Sequence, residues 1–427
     1  MTKMKRYKKC LLTLLAVALL MSACGKKDDN YDDVGGKTKY TLTVWGAERD
    51  MDMLKSMCSA YAEANKQNEY KFLFGVQGES DSPDKVLGDV ESGPDVYSFA
   101  SDALGKLIAG GALARVGGDI EKNIREINSP ESVGAASMTV SGQDQLWAYP
   151  CTADNCAFLY YDKRVIGEGD TKTLDALLAA AGSVGKSVHF KLNDDGWYLS
   201  TFFFADPKLY YEVELDDSMV ERSVKINFNS EGGLDVMKAL RKYISNDALV
   251  VQTDDSKMLS ALRSGQAAAV VSGTWNADAF SEAIGKENLG VCALPSAKIG
   301  SEDRQLSGYM GYKLMGVNGF SKNKGEAHKL AAWLTNEQNQ LIRFRERGFA
   351  PTNKNAAASN EVTGDKIISA VLEQAKHNRT QKSVPANYWT PMGTLISPIV
   401  KAKSSGDRIT DEMLQSYLDA LCAQIRK

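Results

Sequence analysis

Apolar and polar residues alternate along Tyr40-Thr41-Leu42-Thr43-Val44-Trp45, and from Met53 to Ala64 the apolar positions recur at helical spacing. A period of two sends successive side chains to opposite faces of a strand, whereas the second spacing gathers them on one side of a helix. The rhythm continues: the pattern predicts a strand over Tyr70 to Val76, a helix over Ser82 to Glu91, and a turn at Gly93-Pro94-Asp95 running into the short apolar strand Val96 to Phe99. A helix from Asp102 to Gly110 follows, closed by Gly110-Gly111. In the second half Ser187 to Leu192, Ala268 to Ser272 and Leu289 to Leu294 read as strands set among helices. Strands that alternate with helices predict an α/β fold with a largely parallel sheet.

The N-terminus departs from this rhythm. Lys3, Lys5, Arg6, Lys8 and Lys9 precede the apolar run Leu11 to Met21, which is too short to span a membrane and has the layout of a secretory leader. The run ends in Met21-Ser22-Ala23-Cys24, which resembles the bacterial lipobox, with Met21 where that pattern usually has Leu. This reading makes 1–24 a lipoprotein signal ending at lipidated Cys24, and the polar, glycine-containing stretch 25–38 a flexible tether. Roughly 400 residues remain, more than one hydrophobic core normally serves, so two lobes are expected.

A net charge of −3, from 51 basic and 54 acidic residues interspersed along the chain, leaves no basic stripe and argues against nucleic acid as a partner. Once Cys10 leaves with the leader and Cys24 is acylated, five cysteines remain; Cys151 and Cys156 either pair or stay as buried thiols. His189, His328 and His377 have no metal-ligand spacing, so no metal or cofactor is expected. No nucleophile constellation, P-loop or dinucleotide fingerprint is present; the carboxylate pair Asp154 and Asp194 is the one feature that a glycosidase reading could use.

From about Lys39 to Lys427 several landmarks occur in a characteristic order. They include Gly93-Pro94-Asp95-Val96, Leu146-Trp147-Ala148-Tyr149-Pro150 with Asp154-Asn155 after it, Gly265-Gln266-Ala267, Ser272-Gly273-Thr274-Trp275, Ala350-Pro351-Thr352-Asn353 and Trp389-Thr390-Pro391-Met392. Together they resemble the family-1 extracellular solute-binding proteins of ATP-binding cassette sugar importers, of the maltodextrin-binding type. The resemblance implies an α/β, two-lobe periplasmic-binding-protein-like fold with three crossing segments and a central ligand cleft. The lobes would be 39–151 with 295–351, and 152–294 with 352–427. It also implies a monomer at the extracellular face of the membrane, held there by its lipid. By hinge closure it would capture an oligosaccharide, an α-glucan first of all, for the permease subunits of an importer.

The same resemblance assigns site residues. Phe99 falls where the family stacks a sugar on Trp, and Asp102 where it binds hydroxyls; the next position, Arg in the maltodextrin binders, is Ala103. Asp154 and Asn155 lie at the first crossing, while Tyr149 either reaches the cleft or anchors the crossing strand. Trp197, Trp275 and Trp389 match the aromatic positions of the second lobe, and one extra residue leaves either Asp194 or Asp195 as its acidic ligand. Glu48, with Arg49 beside it, sits in a loop from which the family reaches a terminal sugar. Such a set suits a sugar because rings cover its apolar faces while carboxylates and amides meet its hydroxyls.

The leader yields the first prediction. Cys24→Ser should move the protein from the membrane fraction to the medium, and unchanged retention on fractionation would refute lipidation at Cys24.

Overall fold

The structure, a computed structural model, describes residues 36–140, 142–216 and 219–426. The expected leader, Cys24 and most of the tether lie outside the described residues. The alternating segment at Tyr40 is the strand Lys39–Gly46, with Leu42 and Val44 fully buried. It pairs in parallel with Glu69–Val76 on one side and Val96–Ala100 on the other. The helix Met51–Ala64 turns Met53, Leu54, Met57, Cys58 and Tyr61 inward, as its spacing requires. The helix expected from Asp102 begins one residue earlier as a 3₁₀ turn, Ser101–Ala103, and continues as Leu104–Ala109.

Neither large sheet is purely parallel. In the first, the long strand Tyr309–Val317 lies antiparallel to Val96–Ala100 and to Tyr149–Asn155. It enters from the other half of the molecule, so no strand–helix–strand crossover sets its direction. The second sheet has the order Leu249–Val251, Ser187–Phe190, Ala267–Ser272, Phe158–Asp162, Leu289–Cys292. Its first three strands run parallel, and Phe158–Asp162 is antiparallel to both neighbours. All five residues of Phe158–Asp162 are buried because helices cover both faces. Phe158 and Tyr160 face one layer, where Phe280 meets the Tyr160 ring edge-on at 5.2 Å; Leu159 and Tyr161 face the other, with Leu177, Phe202 and Met237.

Three segments join the two sheets. The first sheet hands over to the second between Asn155 and Phe158. The hairpin Ser296–Ile299 and Glu302–Gln305 still puts Ala297 and Ile299 in the second core, so we place the return after 305 rather than at 295. Near Pro351 the chain is still bridged to Thr152, and Asn353 to Asn128; it reaches the second sheet only with the helix Lys366–Ala375. The third segment includes the short strand Arg379–Thr380, parallel to Tyr309–Met310.

Tyr149 turns out to be the anchor of the first crossing. It is fully buried, with its hydroxyl 2.8 Å from Nδ1 of His328 on the helix Lys324–Leu334. Two residues earlier on that helix Glu326 accepts hydrogen bonds from the hydroxyls of Tyr61 and Tyr70, both at 2.6 Å. Cys151 and Cys156 are both free and buried, which pushes their thiols up and leaves them unreactive.

These groups make stability depend on pH. Burial lowers the His328 pKa, so its neutral form favours folding above about pH 6.5 and that contribution fades as pH falls below it. Burial alone would raise the Glu326 carboxyl, but the two tyrosine hydroxyls and Lys329 bring it below its ordinary value; its contribution is full above about pH 4.5 and fades below. Acidification from about pH 7 to about pH 4 should therefore lower the melting temperature in two overlapping steps. His328→Gln should flatten the upper step and Glu326→Gln the lower. A melting profile that is level over this range would contradict both assignments.

Candidate ligand-binding cleft

The cleft is built around two helix starts that pack backbone to backbone. Trp197 is the second residue of the helix Gly196–Phe203, and Trp389 is the first of Trp389–Thr394. A Cβ on Gly196 would stand 2.8 Å from the Trp389 carbonyl oxygen and 2.9 Å from the Met392 Cβ, so a side chain there would force the helices apart. Glycine permits the contact. Both indoles thereby line one cavity of about 510 Å³, together with Asp102, Asp194 and Gln381.

Local chemistry separates the two candidate acids. Asp195 caps its helix, accepting from the backbone N–H groups of Trp197 at 3.0 Å and Tyr198 at 3.2 Å, and it also pairs with Lys191 at 3.2 Å. Asp194 adopts φ 60° and donates its backbone N–H to the Gly393 carbonyl at 3.0 Å, with its exposed side chain at the cavity wall. Asp194 is the more available group for a ligand hydroxyl.

Trp275 follows the fully buried strand Ala267–Ser272. A Cβ on Gly273 would overlap its ring at 2.0 Å, so glycine lets the indole fold back over the end of the strand. The ring is 49% exposed, donates from Nε1 to Asp255 at 3.3 Å and meets Trp197 edge-on at 5.9 Å. It also lines a second cavity, of about 630 Å³, with Asp154 and Asn155. Asp154 is 4% exposed, and its Oδ1 has no hydrogen-bond partner within the protein. A buried carboxylate oxygen is costly when unsatisfied, and this one has almost no accessible surface of its own, so a donor could reach it only if the cleft rearranges. The Asp154 carbonyl accepts from the Thr274 hydroxyl at 3.3 Å, which ties the first crossing to the Trp275 turn.

Asp102 lies in the 3₁₀ turn with its side chain exposed at the cavity wall. Partial loss of hydration there raises its carboxyl pKa, an effect opposed by the backbone N–H groups of Asp102 and Ala103, by a hydrogen bond from Gln381 at 3.4 Å and by Lys106. On the same lobe most cations of the larger cavity are already matched. Lys313 pairs with Glu79 at 3.8 Å and lies 3.6 Å over the Phe349 ring; Arg347 pairs with Asp50 at 2.7 Å, and Arg345 with Glu361. A cavity whose charges are internally balanced suits a neutral polyhydroxylated ligand better than an ionic one.

Two expected residues are placed elsewhere. Phe99 is fully buried beneath the antiparallel strand Tyr309–Val317, opposite Leu314 and 5.7 Å from the Tyr97 ring. A ring with no accessible face cannot stack on a sugar, so Phe99 is a core residue. Glu48 is exposed and lines neither cavity; its neighbour Arg49 does. Gln381 and Phe349 join the site without any sequence signal, since each lies in a connecting segment whose position depends on the packing of both lobes.

Comparison with known proteins fits this geometry. A family model described as bacterial extracellular solute-binding protein matches residues 57–370. A galactooligosaccharide-binding protein of Bacillus subtilis (strain 168) is 24% identical over 425 residues, 97% of each chain. A maltooligosaccharide ABC transporter solute-binding lipoprotein of Streptococcus pneumoniae (strain ATCC BAA-255 / R6) is 22% identical over 403 residues, 92% of this chain and 91% of the relative. The solved structure of maltodextrin binding protein MalE1 from L. casei BL23 aligns with a TM-score of 0.78 at 22% identity, covering 92% of this chain and all of that one. That likeness establishes the two-lobe fold.

Core and cleft rings should respond differently to truncation. Phe99→Ala should destabilise the unliganded protein by about 3–5 kcal/mol, as for other buried aromatics. Trp275→Ala should leave its unfolding midpoint nearly unchanged. Equal losses in denaturant titrations would place both rings in the core.

Proposed function

We propose that this chain, which belongs to the bacterial extracellular solute-binding proteins, captures a neutral oligosaccharide between its lobes and passes it to an ATP-binding cassette importer. Like its family and structural neighbours, it binds its ligand rather than transforming it. The observation that carries this reading is the convergence of three part-exposed indoles, Trp197, Trp275 and Trp389, on adjoining cavities that also hold the unpartnered Asp154 carboxylate. Indoles cover the apolar faces of pyranose rings, and Asp154, Asp194 and Asp102 accept from hydroxyls. Each stack contributes about 1 kcal/mol and each hydroxyl bond about 1 kcal/mol; after association costs the sum corresponds to micromolar affinity.

A maltooligosaccharide is the proposed ligand, supported by the named ligands of the pneumococcal relative and of the structural neighbour. A galactooligosaccharide is the second reading, supported by the Bacillus relative that matches nearly the whole chain. The lipobox-like ending at Cys24 and the lipoprotein name of the pneumococcal relative support a lipid anchor on the outer face of the membrane. Among the described residues no helix is long and apolar enough to cross a membrane.

Calorimetry of the mature protein against malto- and galactooligosaccharides tests the ligand. Micromolar binding of a maltooligosaccharide is expected, with affinity falling about tenfold to a hundredfold in Trp275→Ala and in Trp389→Ala. Chromatography should recover the sugar intact. Binding confined to galactooligosaccharides would select the second reading, and no heat with any neutral oligosaccharide would overturn both.

A further inference from the structure

We propose that Gln381 is the positioning residue of the cleft, a single amide that orients the Trp197 indole of one lobe and the Asp102 carboxylate of the other toward the same ligand. The inference rests on the oligosaccharide reading above. Gln381 is 8% exposed and lies just past the strand Arg379–Thr380, in the third crossing segment. Its main chain is clamped to the first lobe. The backbone N–H donates to the Met310 carbonyl at 2.8 Å, and the backbone carbonyl accepts from the Ser101 hydroxyl at 2.9 Å. That hydroxyl in turn accepts from the Tyr312 N–H at 3.2 Å.

The side chain then reaches outward in two directions. Trp197 donates from Nε1 to Gln381 Oε1 at 2.9 Å, and Gln381 Nε2 donates to Asp102 Oδ2 at 3.4 Å. An indole N–H can only donate, so the amide oxygen must face Trp197. The NH₂ group is left for the carboxylate, and the amide has one orientation that satisfies both partners. Glutamate could accept from the indole but could not donate to Asp102 when ionised, and leucine could do neither. The amide therefore fixes the plane of one stacking ring and supplies a donor that favours the ionised, hydroxyl-accepting form of Asp102.

The amide shares the stabilisation of the Asp102 carboxylate with the backbone N–H groups of Asp102 and Ala103. Lys106, near Asp102 on the same lobe, favours its ionised form. Across the cavity stand Asp194 and Asp195, the latter paired with Lys191 at 3.2 Å. Arg379 stacks over the Phe204 ring at 4.6 Å, and Lys382 donates to the carbonyls of Gly134 at 2.8 Å and Ser137 at 2.6 Å.

Two variants test the role. Gln381→Glu keeps an acceptor for Trp197 but sets a second carboxyl against Asp102. Its affinity for maltotriose should be weakened about tenfold at about pH 8 and recover toward wild type at about pH 5, as the carboxyl pair takes up a proton. Gln381→Leu should be weakened at both values, with no recovery. In unliganded protein Gln381→Leu should also change the Trp197 emission, taken as the difference from a Trp197→Phe background, and in Gln381→Glu that emission should titrate with pH. Wild-type affinity in both variants, or equal pH-independent weakening in both, would overturn the proposal. If wild-type protein binds no oligosaccharide, the functional reading fails, while the unliganded emission titration still decides whether the amide links the two groups.

Discussion

The contact between Gly196 and the Trp389–Gly393 turn is the constraint on which the site depends. Two helices begin at the same point, and their backbones approach so closely that a methyl group on Gly196 would stand inside van der Waals distance of Trp389 and Met392. Gly393 completes the contact, its carbonyl accepting from Asp194. Because the helices start here, Trp197 and Trp389 reach the cavity wall from their first turns while resting on the second core. The positive φ of Asp194 and the capping role of Asp195 follow from the same junction. Aromatic wall and acidic rim are thus one structural event.

The crossing segments supply the other half of the cleft. Strand Tyr149–Asn155 is rigid at its start, where Tyr149 is buried against His328, and carries Asp154 and Asn155 at its end, where the first sheet gives way to the second. Gly311 lies opposite Asn155, and a Cβ there would stand 2.5 Å from the Asn155 side-chain amide nitrogen, so glycine leaves room for that side chain between the two strands. The third segment ties Gln381 to the strand Tyr309–Val317 through the Met310 carbonyl. Several residues proposed to serve the ligand therefore sit where the chain passes between lobes, and a hinge motion at these segments would change the distances among them directly. The buried, unpartnered oxygen of Asp154 is a cost to the free protein.

Local periodicity determined several of the elements by itself. Strands at Lys39–Gly46, Val96–Ala100 and Ala267–Ser272 and the helix Met51–Ala64 follow from alternation and helical spacing, because those patterns record which side of an element is buried. Trp197, Trp275, Trp389 and Asp154 were singled out by resemblance to a family pattern, and their placement on adjoining cavities is what the tertiary structure adds. What only the tertiary structure decided involves partners distant in sequence. The antiparallel insertion of Tyr309–Val317 made the first sheet mixed and covered Phe99, whose own strand carries no mark of which neighbour will lie over it. The choice between Asp194 and Asp195 came from the N–H groups that Asp195 caps. Gln381 lies in a polar stretch with no period at all, and its role exists only where Trp197, Asp102 and the third crossing meet, since a hydrogen bond is set by position in space and not by spacing along the chain.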